Sequence, residues 1–171
     1  IDFYDTYAPV ADFVVVRIVI ATACAKQWII HHLDVKSAFL NGYLDEDIYM
    51  SLPREYSLPN GTACKLKRSI YGLRQAPRAW NKRLTDDLKL SGFQPLINAE
   101  SVFSSIIDKS VVYLIIYVDD ILVVTASELA LTKAKTLLSE LYKIKDLGNA
   151  EYFLGVKIER EHKQVKLTQE S

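Results

Sequence analysis

Apolar and polar positions along this chain fall into short blocks whose spacing sets out most of its elements. Residues 111–116 and 121–124 are apolar runs separated by Tyr117-Val118-Asp119-Asp120, which predicts a β-hairpin with two carboxylates at its tip. Residues 14–26 are apolar nearly all round and long enough to predict a buried helix despite their β-branched start. Residues 28–35 form a shorter apolar run broken by His31 and His32, a strand that delivers Asp34 near its end. Ser37-Ala38-Phe39-Leu40 then turns away, and Asn41-Gly42 supplies turn chemistry. In the helix predicted from Pro77, Trp80, Leu84 and Leu88 recur every four residues, and Gly92 stops it. Residues 100–107 predict a strand that turns through Asp108-Lys109-Ser110 into the hairpin. A helix capped by Ser127 and running to 143 presents Leu131, Ala134, Leu138 and Leu141, and Asp146-Leu147-Gly148-Asn149 breaks the pattern. Alternation over 151–160 and 164–168 predicts a second hairpin. The order is strand, helix, strand, strand, helix and trailing hairpin, an α+β pattern compatible with a split βαβ sheet covered by helices.

Composition narrows this little. The 171 residues are 50% hydrophobic and 25% charged, ordinary for one globular domain, and the formal net charge of +0 excludes a globally basic nucleic-acid binder. Cys24 and Cys64 are far apart, which suggests neither a disulfide framework nor a zinc site and fits reduced, intracellular surroundings. The apolar stretch 13–25 carries Arg17 and is too short to span a bilayer, so no membrane partner is expected. The start at Ile1 reads as a piece of something longer. Residues 1–12 and 53–61 read as loops.

The chemistry lies in acids and bases. Adjacent carboxylates at a hairpin tip repel one another, and a divalent cation with hard oxygen ligands removes that repulsion; the plainer reading is a solvated turn. Asp34 can lie beside this hairpin, so that three carboxylates converge on one edge of the sheet. His31 and His32 are neighbours in a strand, point to opposite faces, and read as structural. Arg17 calls for an anionic partner, either in a salt bridge or as a ligand. Asp45-Glu46-Asp47 reads as solvated surface. Residues 65–85 hold Lys65, Lys67, Arg68, Arg74, Arg78, Lys82 and Arg83 with no acid among them, the footprint of phosphate binding or, more plainly, a solvated basic face.

Several segments together resemble the reverse transcriptases of copia-type LTR retrotransposons. They are Thr6-Tyr7-Ala8-Pro9-Val10-Ala11, Leu33-Asp34-Val35-Lys36-Ser37-Ala38-Phe39-Leu40-Asn41-Gly42, Ile48-Tyr49-Met50, and the run from Leu66 through Tyr71-Gly72-Leu73-Arg74-Gln75-Ala76-Pro77-Arg78-Ala79-Trp80. Tyr117-Val118-Asp119-Asp120-Ile121 and Tyr152-Phe153-Leu154-Gly155 follow in the family's order. The resemblance covers nearly the whole chain. It implies one reverse transcriptase domain fragment over 1–171: a polymerase palm, with a ferredoxin-like antiparallel sheet and helices on one face, plus partial fingers. The N-terminal fingers segment and the thumb are expected to be absent.

By the same resemblance, Asp34 and Asp119 are the metal-binding aspartates, Asp120 the supporting acid, and the Val35 carbonyl a further ligand. Phe39 matches the residue that blocks a ribose 2′-OH, and Gln75 the one beneath the incoming nucleotide. Arg17 matches a triphosphate-binding cation, and Tyr117 joins the nucleotide-binding set. Lys65, Lys67, Arg68, Arg74 and Arg78 would hold triphosphate or template phosphates. The implied cofactor is a pair of Mg²⁺ (or Mn²⁺) ions for two-metal nucleotidyl transfer. The implied partners are an RNA or DNA template with primer, dNTPs, and integrase and ribonuclease H in a parent polyprotein. The implied location is a cytoplasmic virus-like particle with nuclear access. Ala99 departs from the family, which often has aspartate there. The alternatives are a catalytically inactive or repurposed nucleic-acid-binding palm and another two-metal palm enzyme such as a nucleotide cyclase. The Gln75 segment argues against the cyclase.

Overall fold

A computed structural model of the chain describes residues 8–9, 11–52, 62–161 and 164–169. The expected loop at 53–61, most of the one at 1–12, and residues Thr6, Tyr7 and Val10 of the first matching segment lie outside the described residues. The chain divides into two compact units, residues 1–8 with 37–86 and residues 9–36 with 87–171.

The larger unit begins with α1 (Phe13–Ala25), whose first turn is capped by the Asp12 carboxylate accepting from the Val14 N–H at 2.8 Å. Strand β1 (Ile29–Val35) follows. In the smaller unit come a 3₁₀ turn (Ala38–Asn41) and the short strands β2 (Tyr49–Ser51) and β3 (Ala63–Lys65), which pair with each other. Helix α2 (Ala76–Leu90) crosses the boundary between the units, and Trp80, Leu84 and Leu88 are buried as their four-residue spacing predicts. The larger unit continues with β4 (Gln94–Leu96), β5 (Ala99–Ile107), β6 (Ser110–Tyr117), β7 (Asp120–Thr125) and α3 (Glu128–Leu141). It ends with β8 (Ile144–Asn149), β9 (Tyr152–Phe153), β10 (Val156–Glu161) and β11 (Gln164–Thr168).

Six strands form one antiparallel sheet in the order β4-β5-β6-β7-β1-β8. Strand β7 lies between β6 and β1, and β1 lies between β7 and β8, so sequence-distant strands are interleaved and β1 sits in the interior. The fold is α+β, as the pattern of the chain predicts.

Both faces of the sheet are covered, which corrects the expectation of helices on one face. Paired residues share a face, so Ile30, Leu122, Val124, Ile115 and Val102 lie together on one side. They form a core with Val16, Ile20 and Ala23 of α1 and with Phe153 and Ile158. The opposite side carries Leu33, Ile121, Val123, Leu114 and Phe103, all buried, and α3 packs across β5, β6 and β7. The reason lies in β7: Ile121 to Val124 is apolar at every position, and a strand without alternation must be covered twice.

Two further expectations change and one is refined. Helix α1 is not buried all round: Val14 and Ile18 are each 59% exposed, while Val16, Ile20, Ala23 and Cys24 face inward. Asp146 to Asn149 lies beyond the helix, as a break requires, but forms part of β8 with a bulge, Leu33 pairing Asp146 and His32 pairing Gly148, so Leu147 is the extra residue. The strand expected over 151–160 is itself folded, because Leu154 and Gly155 take φ 51° and 74° between the paired residues Phe153 and Val156. Among the described residues, no helix is long and apolar enough to cross a membrane, and Cys24 and Cys64 are free.

Candidate active site

Three acidic residues meet at one end of the sheet in the larger unit. Asp34, the penultimate residue of β1, pairs directly with Asp120, the first residue of β7. Tyr117 and Asp120 are also partners, so the hairpin turn is only Val118-Asp119 and Asp120 already belongs to the strand. The Asp119 carbonyl accepts a hydrogen bond from the Val35 N–H at 2.8 Å, which ties the turn to the end of β1. The chain thereby brings residue 34 beside residues 119 and 120, as the sequence predicts.

The turn is strained. Val118 has φ 55°, a region that a β-branched residue rarely occupies. The registered strands on either side leave two residues to reverse the chain, and the first of them must take positive φ. Hydrophobic β6 and β7 hold that geometry in place.

The electrostatics agree with a crowded acid cluster. Partial burial raises the pKa of Asp119 above the usual carboxylate value; its own N–H opposes this, and the charges of Asp120 and Asp34 add to the rise. Asp120 is engaged by a residue that the sequence reading treated as merely structural: His32 Nε2 lies 2.7 Å from Asp120 Oδ1. The signal was present, since two-residue periodicity puts His32 and Asp34 on one face of β1. His31, on the other face, contacts the Asp146 carboxylate at 2.5 Å, and Lys135 and the Gly148 N–H share that carboxylate.

Among the described residues, no group of three or more His, Cys, Asp or Glu side chains is arranged to hold a metal ion. A hard divalent cation takes oxygen donors, which the Asp34 and Asp119 carboxylates and the Val35 carbonyl could supply. Its fit rests on the register that sets Asp34 opposite Asp120 beside the Asp119 turn. Burial is the main cause of the raised Asp119 pKa, and the charges of Asp120 and Asp34, which a cation would offset, add to it. Arg17 of α1 is exposed, with its guanidinium 4.5 Å from the centre of the Phe13 ring.

The other predicted residues belong to the smaller unit. Phe39 is half-buried, its ring 4.8 Å from that of Tyr71. Its carbonyl accepts from the Gly42 N–H at 3.1 Å and from the Ser69 hydroxyl. Gln75, just ahead of α2, donates through Nε2 to Glu46 at 3.1 Å. The acidic cluster 45–47 is not simply solvated surface: Asp45 pairs with Lys82 at 3.1 Å and Asp47 with Lys65 at 2.6 Å. The hydrogen bond to Asp47 raises the Lys65 pKa. Arg68 stacks 3.6 Å over the Tyr43 ring and donates to the Asn41 carbonyl at 2.9 Å. The acids were close in sequence to one another but distant from these bases, so only folding could pair them. Lys67 and Arg74 are exposed and Arg78 is half-buried.

The sequence profile described as "Reverse transcriptase (RNA-dependent DNA polymerase)" matches residues 1–171. The chain is 39% identical over 163 residues to the retrovirus-related Pol polyprotein from transposon RE1 of Arabidopsis thaliana, covering 94% of the chain and 11% of that protein. It is 35% identical to the corresponding polyprotein from transposon RE2 of the same plant, covering 99% of the chain and 12% of the relative. The polyprotein from transposon TNT 1-94 of Nicotiana tabacum is also 35% identical, with 98% and 13% covered. The chain thus spans only 11–13% of the length of these copia-type relatives. No solved structure matches it. The chain belongs to the reverse transcriptase (RNA-dependent DNA polymerase) family.

Proposed function

We propose that this chain carries out RNA-directed DNA synthesis, adding deoxynucleotides to a primer 3′-OH on an RNA or DNA template. The observation that carries the reading is the cross-strand pairing of Asp34 with Asp120, with Asp119 in the adjoining turn. The interleaved strand order supports reading the larger unit as a polymerase palm of split βαβ type.

In this reading, Asp34 and Asp119, with the Val35 carbonyl, hold a pair of Mg²⁺ or Mn²⁺ ions, in keeping with the divalent-metal use general to the family. When bound, such ions neutralise charge developing on the attacking and leaving oxygens. The chain's own part is positioning. Asp120 supports the ligand pair, and Phe39 excludes a ribose 2′-OH. Gln75 lies beneath the incoming nucleotide, with Tyr117 and Arg17 contributing to nucleotide binding. Lys65, Lys67, Arg68, Arg74 and Arg78 contact phosphates without sequence preference. Lys65 must exchange Asp47 for phosphate to do so. The working context is a polyprotein that also supplies integrase and ribonuclease H within a virus-like particle.

The test is primer extension by the full-length polypeptide that carries this chain. Extension that requires Mg²⁺ or Mn²⁺ and disappears in Asp119→Asn is the expected result. Extension by Asp119→Asn at the parental rate overturns the metal assignment. A parent chain that binds template–primer but adds no nucleotide would identify an inactive palm instead.

A further inference from the structure

The geometry points to His32 as a positioning residue for Asp120, one that anchors this carboxylate and leaves Asp34 and Asp119 as the ligand pair. The inference rests on the polymerase reading of those two aspartates.

The strand register puts His32 and Asp120 within reach. His32 pairs with Leu122 and Asp34 with Asp120, so His32 and Asp120 are diagonal neighbours on one face. The separation of 2.7 Å between Nε2 and Oδ1 is a hydrogen bond. An ionised carboxylate only accepts, so Nε2–H donates. The imidazole also meets the Phe153 ring edge-on, with centroids 5.7 Å apart and planes at 81°. Phe153 is itself buried, and the His32 side chain is only 14% exposed. The ring is therefore fixed on one side by packing and on the other by the carboxylate.

This contact meets a need that the acid cluster creates. Asp120 directly faces Asp34, and with Asp119 in the adjoining turn it forms a group of like charges. A donor two residues back on β1 holds one oxygen of Asp120 on the side of His32, a pleat away from Asp34. The adjacent histidine serves elsewhere: His31 engages Asp146 on β8.

The experiment uses His32→Leu, His32→Ala and His32→Gln in the full-length polypeptide. Leucine keeps an apolar body against Phe153 but has no donor, whereas glutamine places an N–H near the imidazole Nε2 position. We expect His32→Leu and His32→Ala to lower kcat for nucleotide addition by about 10–100-fold, with KM for template–primer unchanged. Mn²⁺ affinity, read by calorimetry without substrate, should weaken in parallel, and His32→Gln should recover most of both. In an Asp120→Asn background, His32→Leu should add little further loss. Parental kcat and Mn²⁺ affinity in His32→Leu would overturn the assignment, as would failure of a folded His32→Gln to recover either. Failure of the underlying reading looks different: Asp34→Asn and Asp119→Asn would then themselves extend primers normally.

Discussion

Asp34 and Asp120 stand directly opposite one another as cross-strand partners of β1 and β7. Like charges in that position weaken a sheet by roughly 0.2–1 kcal/mol. Asp119 adds to the tension, because burial and the neighbouring charges of Asp120 and Asp34 raise its folded-state pKa. A raised carboxylate pKa means the fold favours the protonated form. Its contribution to stability is full below the unfolded value and is lost as pH rises through the folded one. At neutral pH the ionised Asp119 carboxylate therefore works against folding. Asp119→Asn should raise the midpoint of thermal unfolding at neutral pH, by a small amount because solvent screens this partly exposed carboxylate. The same change should reduce primer extension by at least about 100-fold. Calorimetry and extension assays on the same preparation check both. A variant that loses stability and keeps activity contradicts the reading.

Asp146 behaves in the opposite sense. Partial burial pushes its pKa up, but Lys135, the Gly148 N–H and His31 together pull it well below the usual carboxylate range. Its stabilisation is thus present above the unfolded value and is lost as pH falls toward the depressed folded one. Asp146→Asn should lower stability at neutral pH by on the order of 1 kcal/mol, since the carboxylate is 44% exposed and solvent screens its partners. The difference from the parent should shrink in acid, which unfolding curves taken between neutral and strongly acidic pH would reveal.

Gly42 is required for space rather than for its backbone angle, since φ there is an ordinary −68°. A Cβ at this position would lie 2.8 Å from Ser69 Oγ and 2.9 Å from both the Ala79 carbonyl carbon and the Trp80 nitrogen. Two of those neighbours are helix backbone and cannot yield cheaply. Gly42→Ala should destabilise the chain by about 1–3 kcal/mol, measured by denaturant unfolding.

Phe39 offers a test of sugar selection. Its backbone is held by Gly42 and Ser69 while its ring leans on Tyr71, so trimming the ring leaves the main chain in place. Phe39→Val should raise ribonucleotide incorporation relative to deoxynucleotide by roughly 10–100-fold. Competition between the two substrates in a single extension reaction provides the ratio.

Much of this protein was legible along the chain. The Ser127 cap, the Trp80, Leu84 and Leu88 stripe and the hairpin around Asp119 follow from local rules, because caps, helical faces and alternating strands depend on neighbours a few residues away. Asp34 at the end of its strand and the acids at the turn were likewise visible as candidates.

What folding alone decided is which distant groups became partners. The turn at Val118 bears strain, Lys65 and Lys82 meet Asp47 and Asp45, and His32 reaches Asp120 across 88 residues. The bulge that keeps Asp146 to Asn149 in β8 also depends on a register with β1 that no local pattern specifies. The physical reason is common to all of them. Hydrophobic periodicity assigns each residue to a face, but hydrogen bonds and ion pairs require a partner at a set distance. For His32 with Asp120, and for the bulge in β8, that distance exists only once β1 has been inserted between β7 and β8.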